Sequence, residues 1–166
     1  MVVAGSRRRW IWIGGAAALV VLVAAVVTVV LVTKGGDGPS ERFEQAAKVF
    51  HDRYGPLSTH MTTSLRQAGG GFGDRKYLEA QQDAKQLGEA FDTYGKALAA
   101  IAFPEGAKAA VTKLTDATRA GQVLMVNAAG FFSKDQMQAT LEQYQPQVES
   151  AITNDEKALR AALNPR

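Results

Sequence analysis

The sequence contains no cysteine among its 166 residues. This absence excludes disulfide bonds, thiolate-ligated zinc, thiol catalysis and attachment of a lipid to a cysteine. Histidine is scarce as well: the chain has only His51 and His60, and neither has a glutamate three residues before it. Because a ferritin-like di-metal bundle needs such Glu-x-x-His pairs on two helices, we expect no metal and no other cofactor, and we expect both histidines to be exposed or partly packed.

The chain also lacks a basic domain, although its formal net charge is +3. Four of its 19 Lys and Arg residues flank one apolar run near the N-terminus, namely Arg7, Arg8, Arg9 and Lys34. Removing these four leaves 15 basic residues, which nearly balance the 16 acidic residues of the chain. A nucleic-acid-binding domain carries a basic face or stripe. The even balance therefore argues against nucleic acid as a partner.

A long apolar segment occupies residues 10–33 and contains 24 consecutive residues without a charge. As an α-helix it would be about 36 Å long, which is enough to cross a hydrocarbon core of about 30 Å. A secretory leader has a shorter apolar region, of about 7–15 residues, that ends at a small-x-small cleavage site. Here the run ends in Val32-Thr33-Lys34, which is a poor site. We therefore expect an uncleaved, single-pass signal anchor in the lipid bilayer.

The arginines at positions 7–9 set the expected orientation of this anchor. Basic residues stay on the cytoplasmic side of a membrane, so we expect residues 1–9 to be cytoplasmic and the C-terminal part to be extracytoplasmic. The apolar segment also carries a stripe of small residues at helical spacing, which would permit close helix packing in lipid. We attribute this stripe to the Gly/Ala/Val-rich composition, with self-association of the anchor as the alternative.

The rest of the chain has the periodicity of α-helices. Residues 34–40 are predicted to be a Gly/Pro-type linker. From residue 41 onward, apolar residues recur at alternating spacings of three and four, which places them on one face of a helix. No comparable stretch alternates with the period of two that indicates a β-strand. Four helical stripes are present, which run from Phe43 to Leu65, Tyr77 to Ile101, Ala107 to Met125 and Met137 to Leu159.

Two kinds of signal mark the ends of the first three helices. The glycine-rich run 69–73 is predicted to end the first helix, and Asp74 is placed to cap the second by accepting from its free amide groups. Phe103-Pro104 is predicted to end the second helix and begin the third. Proline disfavours a helical residue before it and suits a first helical turn.

The start of the fourth helix has its own signature. Ser133 and Gln136 fit a capping box, and Phe132 and Met137 fit the hydrophobic staple around it. Four helices of about 25–31 residues joined by short loops are expected to be antiparallel neighbours. The sequence therefore predicts an all-α protein, in which a single N-terminal transmembrane helix is followed by an antiparallel up-down four-helix bundle over residues 41–166.

Prolines fall inside two of the predicted helices, where each removes a backbone hydrogen bond and clashes with the carbonyl group four residues earlier. Pro56 lies in the first helix and Pro146 in the fourth, and the up-down topology places them at the same height. We predict paired kinks at this layer, with Tyr54 and Tyr144 beside them. We favour ordinary core packing around the kinks; the alternative is a small pocket or partner groove formed by these four residues.

Most carboxylates are expected on solvated helix faces. Several have a basic residue four positions away, as Glu156 has in Arg160, which is the spacing of an ion pair on one helix face. Asp155 lies closest to the apolar stripe of the fourth helix. We therefore expect Asp155 to be partly buried, facing a lysine or an arginine.

The sequence shows no catalytic motif, and its glycine-rich run lacks the Gly-Lys-Ser/Thr ending of a phosphate-binding loop. We therefore expect a non-enzymatic protein. The favoured hypothesis is an interaction module held at the outer face of the cell membrane, serving as an accessory subunit or cell-envelope factor with a protein partner. The alternative is a bundle that binds or senses a small ligand and acts through a partner protein.

Two parts of the chain carry a resemblance to known proteins, namely the Ala/Val-rich anchor and the segment LAAIAFPEGAKAAVTKL from Leu98 to Leu114. The chain resembles small helical proteins of actinobacteria that are held by a single anchor or by a lipid. It lacks the lipid-attachment cysteine of the lipid-anchored members. The resemblance implies no functional residue at any position of this sequence.

Overall fold

A computed structural model describes residues 38–70 and 73–164. Within these residues the chain forms four α-helices and no β-strand, so the predicted all-α class and the number of bundle helices are confirmed. A short 3-10 helix precedes the third α-helix at Glu105–Ala107. The helices are α1 (Pro39–Gln67), α2 (Arg75–Ala99), α3 (Lys108–Gly130) and α4 (Lys134–Leu163).

The predicted anchor at residues 10–33 and the predicted cytoplasmic residues 1–9 lie outside the described part of the chain. In the part that is described, none of the helices has the length and apolar character that crossing a membrane requires. The longest helix, α4, has 30 residues, which gives the bundle a length of about 45 Å at 1.5 Å per residue.

Neighbouring helices are antiparallel. His60 of α1 lies beside Asp83 of α2, and Arg53 lies beside Glu89, so residue numbers fall along one helix as they rise along the other. The same inverse order relates α2 to α3 and α1 to α4. Helices α1 and α2, α2 and α3, and α3 and α4 pack closely, whereas the backbones of α1 and α4 approach each other at few points.

The predicted stripes supply most of the core. Helix α2 lies deepest, with ten of its 25 residues buried, whereas α4 has only five of 30. This difference means that α2 is the central helix of the core and that α4 lies further out, with a smaller share of its residues buried. The buried members of the predicted stripes are Phe43, Ala47, Phe50, Met61, Leu65, Tyr77, Ala80, Ala84, Leu87, Phe91, Tyr94, Leu98, Ala107, Leu114, Thr118, Gly121, Met125, Met137, Leu141, Ile152 and Leu159.

Glycine permits the close approach of α2 and α3. A Cβ atom at Gly121 would lie 2.5 Å from a ring carbon of Phe91, so only glycine lets this buried ring lie against the backbone of α3. On the α2 side, a Cβ atom at Gly88 would lie 3.4 Å from a methyl group of Val126. The α2–α3 interface is therefore a close-packed apolar contact in which small residues face larger ones.

The helix ends agree with the sequence in part. Asp74 caps α2 as predicted, because its carboxylate accepts from the Tyr77 amide at 3.0 Å and also from the Gly69 amide at 3.1 Å. The Phe103-Pro104 prediction is wrong in detail. Helix α2 already ends at Ala99, and Pro104 precedes the short 3-10 helix instead of α3 itself.

The capping box of the fourth helix does not form. Ser133 is at the N-cap of α4 as predicted, but its side chain makes no capping hydrogen bond. Phe132 is 76% exposed, so the predicted staple does not bury it against Met137. This end of α4 is joined to α1 by a different contact, a hydrogen bond of 2.5 Å from the Lys134 ammonium group to the carbonyl oxygen of Ala68.

We expect Gly121→Ala to destabilise the bundle by roughly 1–3 kcal/mol, since the added methyl group must displace the Phe91 ring or the α3 backbone. Gly55→Ala is the matched control: Gly55 is an exposed helical position whose Cβ would meet nothing within 4 Å. We expect it to stabilise the bundle by up to about 1 kcal/mol. Urea denaturation of the full chain, followed by far-UV circular dichroism, measures both. Equal midpoints for the two variants would contradict the close contact at Gly121.

Candidate functional site between α1 and α4

Polar side chains form a row of contacts between α1 and the α4 region. Five pairs follow one another along the two helices, each with one residue from α1 and one from α4 or from Asn164, the C-cap of α4. We call this row of pairs the α1–α4 seam. The pairs are Ser40–Asn164 (3.4 Å), Glu44–Arg160 (2.8 Å), His51–Glu156 (3.0 Å), Tyr54–Glu149 (2.5 Å) and Ser58–Gln145 (3.0 Å).

The two prolines lie at one height in the seam. The Gln145 amide group donates to the Ser58 hydroxyl at 3.0 Å and to the Tyr54 hydroxyl at 3.3 Å, which places Gln145 level with Pro56 and next to Pro146. Both prolines are exposed, and α1 and α4 each continue as one helix through them. The prolines therefore do not divide their helices, and their rings do not line the interior.

Of the two tyrosines predicted at this layer, only Tyr54 faces the seam. Its hydroxyl group donates to Glu149, and its ring stacks on Phe50 with centroids 5.3 Å apart. Burial raises the pKa of the Tyr54 hydroxyl group, so it remains protonated and donates. Tyr144 is 46% exposed and is displaced from the seam, because the adjacent Gln145 faces α1. Of the four residues in the predicted pocket or groove, the structure places Tyr54 in the seam and leaves Tyr144, Pro56 and Pro146 exposed.

A buried carboxylate that the sequence analysis placed on the surface lies further along the seam. Glu156 is only 3% exposed, whereas Asp155, the residue expected to be partly buried facing a basic group, is half-buried and is not the carboxylate in the core. The Nε2 atom of His51 lies 3.0 Å from both carboxylate oxygens of Glu156. The Tyr94 hydroxyl of α2 donates to Oε1 at 2.8 Å. Three helices therefore meet at the carboxylate of Glu156.

Arg160 extends this cluster to the end of the bundle. Its Nη2 atom lies 3.5 Å from Glu156, and its guanidinium group forms two hydrogen bonds to Glu44 of α1, at 2.8 and 3.2 Å. The guanidinium carbon also lies 5.4 Å from the centre of the Phe43 ring, a distance typical of a cation–π contact. We call Glu44, His51, Tyr94, Glu156 and Arg160 the Glu156 cluster.

The cluster alters the pKa values of its own members. The hydrogen bond to Glu156 raises the pKa of His51 above its ordinary 6.5, although burial acts in the opposite direction. Burial tends to raise the pKa of Glu156, but hydrogen bonds from His51 and Tyr94 outweigh it and hold that pKa below 4.5. Between about pH 4.5 and 6.5, His51 is therefore a cation and Glu156 an anion.

The second histidine makes a separate contact with a buried carboxylate. His60 Nδ1 lies 2.6 Å from Asp83, which joins α1 to α2 rather than to α4. Both histidines are about half exposed, in agreement with the expectation that they are exposed or partly packed. Among the residues that the structure describes, no three His, Asp or Glu side chains are grouped so that they could hold a metal ion.

The helical spacing itself contained a signal for Glu156. The residue lies four positions after Ile152 and three before Leu159, and both of these were assigned to the buried stripe. The face of α4 therefore predicted a buried position at 156, but the pairing with Arg160 favoured a surface assignment. Its donors His51 and Tyr94 come from other helices, and spacing along one helix does not show them.

The cluster joins helices through hydrogen bonds to carboxylates. His51 Nε2, the Tyr94 hydroxyl and Arg160 Nε each donate to a carboxylate of the cluster, so these atoms are used in contacts between helices. The seam thus acts as a polar joint that holds α4 to α1 and α2.

Comparison of the chain with profiles of known protein families, with curated proteins and with solved structures gives no match. The resemblance to anchored helical proteins of actinobacteria therefore stays a prediction from the residues that carry it.

We expect Tyr94→Phe to destabilise the bundle by about 1–3 kcal/mol, because the buried Glu156 carboxylate loses an O–H donor and no water replaces it. Tyr144→Phe removes the same atom at an exposed position and is the matched control, with an expected change below about 0.5 kcal/mol. Thermal and urea denaturation of the full chain compare the two variants. A loss of stability for Tyr144→Phe as large as that for Tyr94→Phe would contradict the role of the hydroxyl in the cluster.

Proposed function

We propose that the chain is a non-enzymatic interaction module of the cell envelope. Residues 10–33 anchor it in the cell membrane, residues 1–9 are cytoplasmic, and the four-helix bundle lies on the extracytoplasmic side, where it binds a protein partner as an accessory subunit or assembly factor. The uncharged length of residues 10–33 and the arginines at 7–9 support the anchor and its orientation.

The observation that carries the partner proposal is an uncharged surface on α3. From residue 120 to residue 133 the sequence contains no charged side chain, whereas the first half of α3 contains four. Val123 and Val126 in this stretch are 53% and 58% exposed. We call the exposed residues of this stretch of the helix the α3 face, which consists of Ala120, Val123, Val126, Asn127 and Gly130.

Exposed apolar side chains are concentrated at this end of the bundle. In the described part of the chain, the four most exposed large apolar residues are Phe132, Val126, Val123 and Leu78. Leu78 belongs to the turn of α2 that is joined to the end of α3, because the neighbouring Tyr77 hydroxyl donates to the carbonyl oxygen of Phe131. Apolar exposure grouped in this way is typical of a protein–protein contact.

The position of the α3 face favours a protein over the bilayer as its partner. The hydrogen bond from Lys134 to Ala68 places the start of α4 beside the end of α1. The α3 face therefore lies toward the end of the bundle opposite Pro39, where the chain enters α1 from the predicted linker. A surface at the end of the bundle opposite Pro39 is suited to a protein partner.

The anchor and its orientation are tested by labelling in intact cells. Because the chain has no cysteine, Ala4→Cys and Ser150→Cys each introduce a single thiol, the second at an exposed position of α4. We expect a membrane-impermeant maleimide to label Ser150→Cys and to label Ala4→Cys only after the cells are permeabilised. Labelling of both variants in intact cells, or release of the chain by an alkaline wash, would contradict the proposal.

The partner surface is tested by crosslinking in native membranes. We expect Val123→Asp to reduce the yield of a specific crosslinked product by about tenfold or more, since a charge at the centre of an apolar contact costs at least about 1.4 kcal/mol. Thr112→Asp, also at an exposed β-branched position of α3, is the matched control and should leave the product unchanged. The proposal fails if the wild-type chain gives no such product, or if the two aspartate variants behave alike while both remain folded.

A further inference from the structure

Helix α4 has few buried residues over a long part of its length. No residue of α4 between Leu141 and Ile152 is buried, although Val148 and Ala151 pack against the core with part of their surface exposed. In this interval Gln145 and Glu149 form hydrogen bonds with Ser58 and Tyr54 of α1. The Glu156 cluster lies directly after this interval and joins α4 to α1 and α2 where the buried face of α4 resumes.

The charge of the cluster changes when His51 loses a proton. With His51 protonated, the cations His51 and Arg160 balance the anions Glu44 and Glu156. With His51 neutral, one anionic charge is in excess. Arg160 compensates only in part for the charge that Glu156 loses at His51, because its two shorter hydrogen bonds go to Glu44 and it lies 3.5 Å from Glu156. A buried carboxylate that loses its cation regains stability by contact with water.

We infer that the His51–Glu156 pair is a pH-operated latch on the α1–α4 seam, which holds α4 against α1 while His51 is protonated and lets the seam widen when His51 is neutral. Widening admits water to Glu156 and exposes the aromatic rings of Phe50 and Tyr54 on the inner side of α1. This inference does not depend on the anchor or on the α3 face.

The direction of the pH response follows from the groups around His51. Glu156 and Arg160 face it from α4, Asp52 lies next to it on α1, and Tyr94 of α2 shares the Glu156 carboxylate. The hydrogen bond to Glu156 raises the pKa of His51 above 6.5. A histidine with a raised pKa in the folded chain contributes stability that is complete below 6.5 and is lost as the pH rises through the raised value. The latch is therefore closed between about pH 4.5 and 6.5 and opens as the pH rises above the raised pKa of His51.

The second histidine provides an internal comparison. His60 pairs with Asp83 across α1 and α2. These two helices pack closely through apolar residues, such as the tilted contact between Phe50 and Phe91 with centroids 5.2 Å apart. A substitution at His60 therefore affects an interface that apolar packing already holds, and it should not separate the two helices.

The distance between two spin labels, one on α1 and one on α4, measures the width of the seam in the full chain. Gly55→Cys and Thr153→Cys place one label on α1 and one on α4, at exposed positions on either side of the seam, in a chain without other thiols. We expect the distance between these labels to lengthen and broaden from about pH 5.5 to about pH 9, with a midpoint above the ordinary histidine value. The fraction of molecules with a widened seam should rise by about fivefold between these two pH values. The control pair, Lys85→Cys and Asn127→Cys, joins α2 to α3 and should not change.

Substitutions at His51 distinguish the latch from a general effect of pH. Glutamine cannot carry a charge, so His51→Gln should give the longer label distance of the open seam at both pH values. Lysine stays charged, so His51→Lys should give the shorter distance of the closed seam at both. His60→Gln should keep the wild-type response. The inference is overturned if the wild-type distance is the same at both pH values, or if the pH response persists in His51→Gln. The wild-type titration needs no change within the cluster, so it remains decisive if a His51 variant does not fold.

Discussion

The burial of one carboxylate determines how the bundle closes. Glu156 lies at the point where α1, α2 and α4 meet, and it is almost completely removed from solvent. An ionised group in such a place is stable only with donors around it. His51 and Tyr94 supply these donors from two other helices, and Arg160 adds its charge from the next turn of α4. The position of α4 therefore depends on keeping these donors and this charge around the Glu156 carboxylate.

The two sides of the bundle are consequently held together in different ways. Between α2 and α3, glycine residues allow rings and methyl groups to contact the opposite backbone, as Phe91 does at Gly121. The contacts of Phe91 at Gly121 and of Val126 at Gly88 involve no titratable side chain, so a change of protonation does not act on them directly. Between α1 and α4, a row of hydrogen bonds and ion pairs joins the helices, and the strength of these contacts depends on protonation and on water. The seam is thus the side on which conditions outside the protein can act.

The exposed apolar residues belong to a different part of the molecule. The α3 face and Leu78 lie on the close-packed α2–α3 side, toward the end of the bundle that contains the α3–α4 loop. The Glu156 cluster lies on the opposite helix pair, toward the other end, where Arg160 bonds to Glu44 near the start of α1. A partner on the α3 face would contact a rigid surface, and the adjustable seam would stay free. This separation suits an interaction module with one stable binding surface.

The sequence by itself determined the helices and most of the core, because the spacing of apolar residues specifies which face of each helix is buried and because signals such as Asp74 act within a few residues. Only the tertiary structure decided which polar side chains near those faces are buried and which are exposed. Glu156 is buried because its donors lie 105 and 62 residues away in the chain, and Tyr144 is exposed because its neighbour Gln145 meets α1. Ser133 starts α4 but does not cap it, since a side-chain hydrogen bond depends on local geometry that residue type alone does not fix.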